Sequence, residues 1–117
     1  MNERSSIPLI MMMISESKLA LVGLLNRRDL EGHITERDMG RVRHAIDRIN
    51  EIERTVVPII QRYGTEDDLD DESVSLLITS IEEMSDIAGL GSSVADRAAT
   101  SVYETAIRKA YRRKRSD

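Results

Sequence analysis

Residues 84–98 read Met84-Ser85-Asp86-Ile87-Ala88-Gly89-Leu90-Gly91-Ser92-Ser93-Val94-Ala95-Asp96-Arg97-Ala98, and the number of helices in the chain turns on them. Two glycines around one leucine, followed by Ser93 with an acid at Asp96, have the form of a helix stop and a fresh N-cap. Upstream, Val74, Leu77, Ile78, Ile81, Met84 and Ile87 recur at three- and four-residue steps and predict a third helix capped by Asp70 or Asp71. Downstream, Ala95, Ala98, Ala99, Val102, Ala106 and Ala110 line one side of a fourth helix, small enough for a neighbour to approach closely. Charge agrees with a turn. Residues 65–92 carry nine acids and no Lys or Arg, whereas residues 93–117 carry seven bases against three acids. Folding back at Gly89-Leu90-Gly91 sets the acids of Asp67 to Glu72 beside the bases of Arg108 to Arg115, a hairpin that neutralises itself.

The first half supplies two more helices. Ser6 ahead of Ile7-Pro8 reads as a helix start, since proline is tolerated in the first turn. That helix runs to about Arg28, where Arg27 and Arg28 suit the negative end of the dipole and Gly32 follows. Thr35 with Asp38 is a shortened capping box opening helix 2. Its stripe is Met39, Val42, Ile46, Ile49, Val56, Ile60 and Tyr63, broadened by Ile52 and Ile59. Pro58 removes a hydrogen bond to the carbonyl of Arg54, so a kink or break is expected near Val57, and Tyr63-Gly64 supplies the stop. The expected architecture is all-α: an antiparallel, up-down-up-down four-helix bundle, kinked in helix 2 near Pro58. It forms one domain over residues 1–117 that self-associates and ends in a basic tail, 112–117, prone to fray.

Composition fits. A chain of 117 residues is a single-domain length, and apolar residues at 40% beside charged residues at 32% suit a soluble globular or coiled protein. Three Tyr with no Phe and no Trp leave a core of Ile, Leu, Val, Met and Ala. With no Cys there is no disulfide, thiolate nucleophile or Cys-ligated metal. The apolar runs Ile7 to Ile14 and Leu19 to Leu25 are split by Ser15-Glu16-Ser17-Lys18, and neither reaches the ~20 residues of a membrane span. Glu3 cancels Arg4 ahead of the first run, so no signal peptide is expected. A cytoplasmic chain without membrane contact is the simplest expectation.

Chemistry-bearing constellations are sparse. His44, Asp47 and Glu51 share a helical face at a spacing open to a divalent metal, but Arg43, Arg48 and Arg54 offer those acids ordinary ion pairs. His33 lies in a loop, as surface or as a helix-end contact. The run Asp67-Asp68-Leu69-Asp70-Asp71-Glu72 lacks the alternating ligands and central glycine of a calcium loop. Gly89-Leu90-Gly91-Ser92-Ser93 lacks the strand, full glycine pattern and lysine of a phosphate cradle. No nucleophile elbow occurs and only two His exist. No catalytic residue, metal, cofactor or small-molecule substrate is therefore expected.

Binding of another macromolecule is the remaining expectation. Leu9-Ile10-Met11-Met12-Met13-Ile14 is apolar all round, wider than one neighbour can bury, and its unbranched Met side chains adapt to irregular surfaces. Leu9, Ile10, Met12 and Met13 are the expected contacts of a homodimer or partner protein. Arg108, Arg112, Arg113 and Arg115 form a second, charged contact surface. The chain is thus expected to be an adaptor, chaperone or regulator acting through protein–protein contacts.

The alternative is a DNA-associated regulator using the basic tail. Met84, Ser85, Ala88, Gly89, Leu90, Ala95 and Ala98 resemble the apolar and small positions around the turn glycine of a helix-turn-helix unit. Glu82, Glu83 and Asp86 depart from that pattern, with Arg97 the one base near the reading positions. A net charge of −4 and the acids expected opposite the tail also oppose a polyanion.

Overall fold

The computed structural model describes residues 3–63 and 69–116. Three α-helices account for nearly all of them: α1 (Glu3–Leu25), α2 (Glu36–Tyr63) and α3 (Asp71–Ser116), with a 3-10 turn at Arg28–Leu30 between the first two. The all-α class stands, but the four-helix bundle is corrected to three helices. α3 runs unbroken through Gly89-Leu90-Gly91, and the helix expected to start at Ser93 is the second half of the same rod.

Local geometry and packing explain the difference. Among the described residues only Gly32, with φ 79°, has a positive φ, so Gly89 and Gly91 keep helical backbone. The inward register of Leu77, Met84, Ile87, Val94 and Ala98, all buried, passes through Gly91 without a change of phase. Gly91 lies under α1: a Cβ there would sit 3.1 Å from Leu21 Cδ2. Two helical glycines cost roughly 2 kcal/mol by propensity. Each large side chain buried along this seam contributes about 1.5–3 kcal/mol, and burial wins.

The helices run up, down and up. α2 is antiparallel to α3: Arg62 Nη2 donates to Ser73 Oγ at 2.7 Å, Arg48 pairs with Glu83, and Arg97 donates from Nε and Nη2 to both carboxylate oxygens of Asp38, each at 2.9 Å. α1 is antiparallel to α2, with Lys18 Nζ 3.0 Å from Glu53 Oε2. Between them lies a core that includes Ile10, Leu21, Leu24, Val42, Ile49 and Met84.

Helix starts follow the sequence in part. Thr35 Oγ1 accepts the Asp38 N–H at 3.1 Å and Asp70 Oδ1 accepts the Ser73 N–H at 2.7 Å, so both expected caps are made. The carboxylate of Asp38 is taken by Arg97 rather than completing a capping box. α1 begins at Glu3, ahead of the expected Ser6 start. No break occurs near Val57: α2 continues through Pro58, whose ring is exposed, so the Arg54 carbonyl it cannot serve lies on the solvent side.

The self-neutralising hairpin is overturned with the fourth helix. Asp71 and Arg112 stand on one rod, about 60 Å apart at 1.5 Å per residue. Glu66, Asp67 and Asp68 of the acidic run, and Gly64 at the expected helix stop, lie outside the described residues. The tail expected to fray is helical to Ser116. The molecule measures 74 × 24 × 18 Å.

Two outcomes follow. Gly89 is helical, and a Cβ added there would meet nothing within 4 Å, so Gly89→Ala should stabilise the fold to urea by about 0.5–1 kcal/mol. A loss of stability would mean a turn glycine at that position and would contradict the continuous rod.

The second concerns pH. Arg97, by hydrogen bonding and charge, holds the Asp38 carboxyl below the usual carboxylate range. A depressed folded-state pKa contributes stability that is full above the unfolded value of about 3.9 and is lost as pH falls through the folded one. The stability difference between the parent chain and Asp38→Asn, from urea titrations, should be constant above about pH 5 and shrink below pH 4. A difference unchanged down to pH 2 would remove the ion pair from the account.

Candidate functional site

Val102 is the last residue of α3 packed against the body's core. In the turn and a half just before that point two contacts form a collar. The bidentate Arg97–Asp38 pair, with Arg41 Nη1 3.8 Å from Asp38 Oδ1, clamps the start of α2 to α3. His33 Nδ1 lies 3.0 Å from Ser101 Oγ and ties the interhelical loop to the same level. Beyond the collar, residues 103–116 project as a single helix about 20 Å long. The Thr105 hydroxyl donates back to the Ser101 carbonyl at 2.9 Å across the junction.

This arm has two faces. Tyr103 and Ile107 are 67% and 48% exposed, one turn apart, beside the exposed Ala106 and Ala110. The positions that continue the body's inward register turn from apolar to polar and then basic: Val94, Ala98, Ser101, Thr105, Arg108, Arg112. The apolar stripe has therefore rotated to the side away from the body. Residues 103–116 carry six bases and one acid, so the net charge of −4 conceals a positive arm on a negative body. Bases at a helix C-terminus also favour its dipole, supporting a segment too short to be firmly helical alone.

The expected charged surface, Arg108, Arg112, Arg113 and Arg115, lies entirely on the exposed arm. Arg108 Nε donates to the Glu104 carbonyl at 3.4 Å, and the Arg115 guanidinium lies 6.0 Å from the centre of the Tyr111 ring. The expected apolar surface divides. Ile10 is fully buried in the core of the single chain and offers nothing to a partner, which corrects its assignment as a contact. Leu9 and Met13 are half-buried, and Met12 is 51% exposed. The physical reason is that α1 has two apolar seams. Ile10, Ile14, Leu21 and Leu24 face inward, while Met11, Met12, Leu19 and Val22 face outward.

Elsewhere the polar groups are occupied with one another. A groove of about 520 Å³ between α2 and α3 is lined by Arg37, Gly40, Arg41, His44, Arg48 and Glu83, among others. Arg48 forks between Glu83 and Glu51, and its hydrogen bonds, helped by its charge, hold the Glu83 carboxyl below its usual range. His44 and Asp47 are exposed, and Glu51 is engaged by Arg48. Among the described residues no three His, Asp or Glu side chains converge on a metal-sized site, and no helix is long and apolar enough to cross a membrane. The reading positions of the helix-turn-helix resemblance, Ser92, Ser93 and Asp96, lie mid-helix, so that unit is absent from 84–98.

Sequence reasoning missed Tyr103, Ile107 and Ser101, and it named Asp38 as a cap, Arg97 as a lone base and His33 as loop surface or a helix-end contact without joining them into a collar. The step from Tyr103 to Ile107 was a readable signal. The collar was not, because its partners lie 59 and 68 residues apart. Set against known protein families, curated proteins and solved structures, the chain matches none.

Proposed function

We propose that this protein is a non-catalytic binding protein, an adaptor or regulator acting through protein–protein contacts, whose three-helix body holds out the end of α3 as its contact arm. One observation carries the reading: Tyr103 and Ile107 are exposed on a helix that continues past the last core contact. Large side chains on a rigid helix lose little freedom on docking, and tyrosine is among the residues enriched at binding hot spots. The outward seam of α1, with Met12 and Leu19, is a second apolar strip on the same molecule.

A second reading, a DNA-associated regulator using the basic arm, gains from the separation of charge. About 60 Å lies between the acids at the start of α3 and the bases at its end, against a Debye length of about 8–10 Å in physiological salt. The acids therefore do not screen the arm from a polyanion. This reading now rests on the arm alone.

The test compares the parent chain with a Tyr103→Ser, Ile107→Ser variant, each recovered with nuclease treatment from the cells that make it. The proposal expects a partner protein bound by the parent and held at least about tenfold more weakly by the variant. Equal recovery would contradict it. Retardation of random duplex DNA that weakens steeply with salt and depends on Lys109 and Arg113 would favour the second reading instead.

A further inference from the structure

The groove between α2 and α3 has an apolar floor and an uneven rim. Ala45 and Ile87, both buried, and the half-buried Leu90 form the floor, and Gly40 brings bare backbone to one edge. A Cβ on Gly40 would meet nothing within 4 Å, so no packing among the described residues calls for glycine there. The rim carries Arg37, Arg41, His44 and Arg48 from α2, and Glu83 and Asp86 from α3. At about 520 Å³ the groove has the size of a small-molecule site.

The rim charges are sorted along its length. The contact of Arg48 with Glu83 fixes the level of these antiparallel helices, and each turn from that pair toward the start of α2 is a turn toward the end of α3. His44 then stands level with Ile87, Arg41 with Leu90 and Arg37 with Val94. Both rim acids lie at one end, where Arg48 takes Glu83, while Arg37 and Arg41 lie at the other. Asp38, between those two arginines on α2, does not neutralise both. Its buried carboxylate accepts two hydrogen bonds from Arg97 and has Arg41 only at 3.8 Å. Arg37 makes no hydrogen bond or ion pair among the described residues. Positive charge and donor N–H groups are therefore left over at one end of an apolar trough.

We propose that this groove binds a small amphiphilic anion: a single carboxylate held by Arg37 and Arg41, with an unbranched apolar chain lying over Leu90, Ala45 and Ile87. Guanidinium forks match a carboxylate in geometry as well as in charge. The chain gains by covering the floor. From the arginine end to the level of His44 and Ile87 is one to two turns, about 5–10 Å, matched by an acyl chain of roughly eight carbons. The acids at the far end limit the ligand's charge. A second negative group there would meet Asp86 and Glu83, so the groove selects a monoanion with an apolar tail over a dianion or a polyanion. The site shares no residue with the arm and goes beyond the reading of that surface.

The test is an NMR titration of the isotope-labelled full chain with octanoate, set against 1-octanol and inorganic phosphate, each of which keeps one half of the ligand. Octanoate should move the amide signals of residues 37–48 and 83–90 with a Kd of about 1 mM or below. It should bind at least about tenfold more tightly than either half alone. Arg37→Gln with Arg41→Gln changes exposed side chains only, and circular dichroism should show the helix content kept. That variant should hold octanoate at least about tenfold more weakly and 1-octanol unchanged. Octanoate that moves none of these signals overturns the site, as does equal binding by parent and variant, or by octanoate and phosphate. Shifts confined to α1 or to residues 103–116 overturn it too. Duplex DNA that moves the groove signals where octanoate moves none overturns it in favour of a polyanion. None of these outcomes bears on the arm, which the co-purification test reads by itself.

Discussion

The close approach of Leu21 to Gly91 is the contact on which the rest of the structure depends. With no Cβ on residue 91, α1 rests against α3 at mid-length, and the Leu21 side chain closes over a site where any Cβ would crowd it. That contact recruits Gly91 as a helix-packing residue instead of a helix terminator. Once α3 continues past it, Val94 and Ala98 enter the core in register, Arg97 reaches Asp38, and what remains of α3 has no body left to pack against. The arm is a consequence of helix length: α3 runs Asp71–Ser116, while its partners α1 and α2 span Glu3–Leu25 and Glu36–Tyr63.

Charge takes a different meaning in a rod than in a hairpin. In a hairpin the acids at the start of α3 and the bases at its end would quench each other and the surface would be bland. In a rod they stand at opposite ends, and each end presents a field of one sign, several Debye lengths from the other. The ion pairs that join one helix to another lie along the body: Lys18 with Glu53, Arg48 with Glu83, Arg97 with Asp38; on the arm Arg108 reaches Glu104 of its own helix at 4.0 Å. Those of Lys18 and Arg48 are partly exposed and individually worth little, whereas the bidentate Arg97–Asp38 pair has a buried carboxylate. The arm is the region where exposed apolar surface stands beside concentrated positive charge.

Much of this is legible in the sequence. The helical class, the apolar stripe of α2 with Val42, Ile49 and Val56 at its centre, the Thr35 cap and the Asp70 cap all follow from local patterns, because capping and amphipathicity are decided within one or two turns. Gly89 and Gly91 are not legible in that way. A glycine pair costs about 2 kcal/mol in a helix whether or not a neighbour comes to lie on it, and the neighbour, Leu21, is 70 residues away in sequence. The unbroken spacing of Leu77, Met84, Gly91 and Ala98 is the available counter-signal, since a turn would have reset it. For the contact surfaces, a segment apolar on every side, such as Leu9 to Ile14, says that something covers it but not which side the core takes. Ile10 goes inward and Met12 outward. The basic residues at the end of α3 are plain from composition, whereas their distance from the acids follows only from the rod.

The continuous α3 is tested most directly by a distance within it. The chain has no native cysteine, so spin labels at Thr79→Cys and Ala106→Cys, both exposed positions, report on one pair of sites. Dilution with excess unlabelled chain restricts the signal to intramolecular pairs. A helix unbroken between them sets the labels about 40 Å apart, in a single narrow distribution. A distance below about 20 Å, as two helices folded back at Gly89-Leu90-Gly91 would give, would contradict the rod, the arm and every surface derived from them.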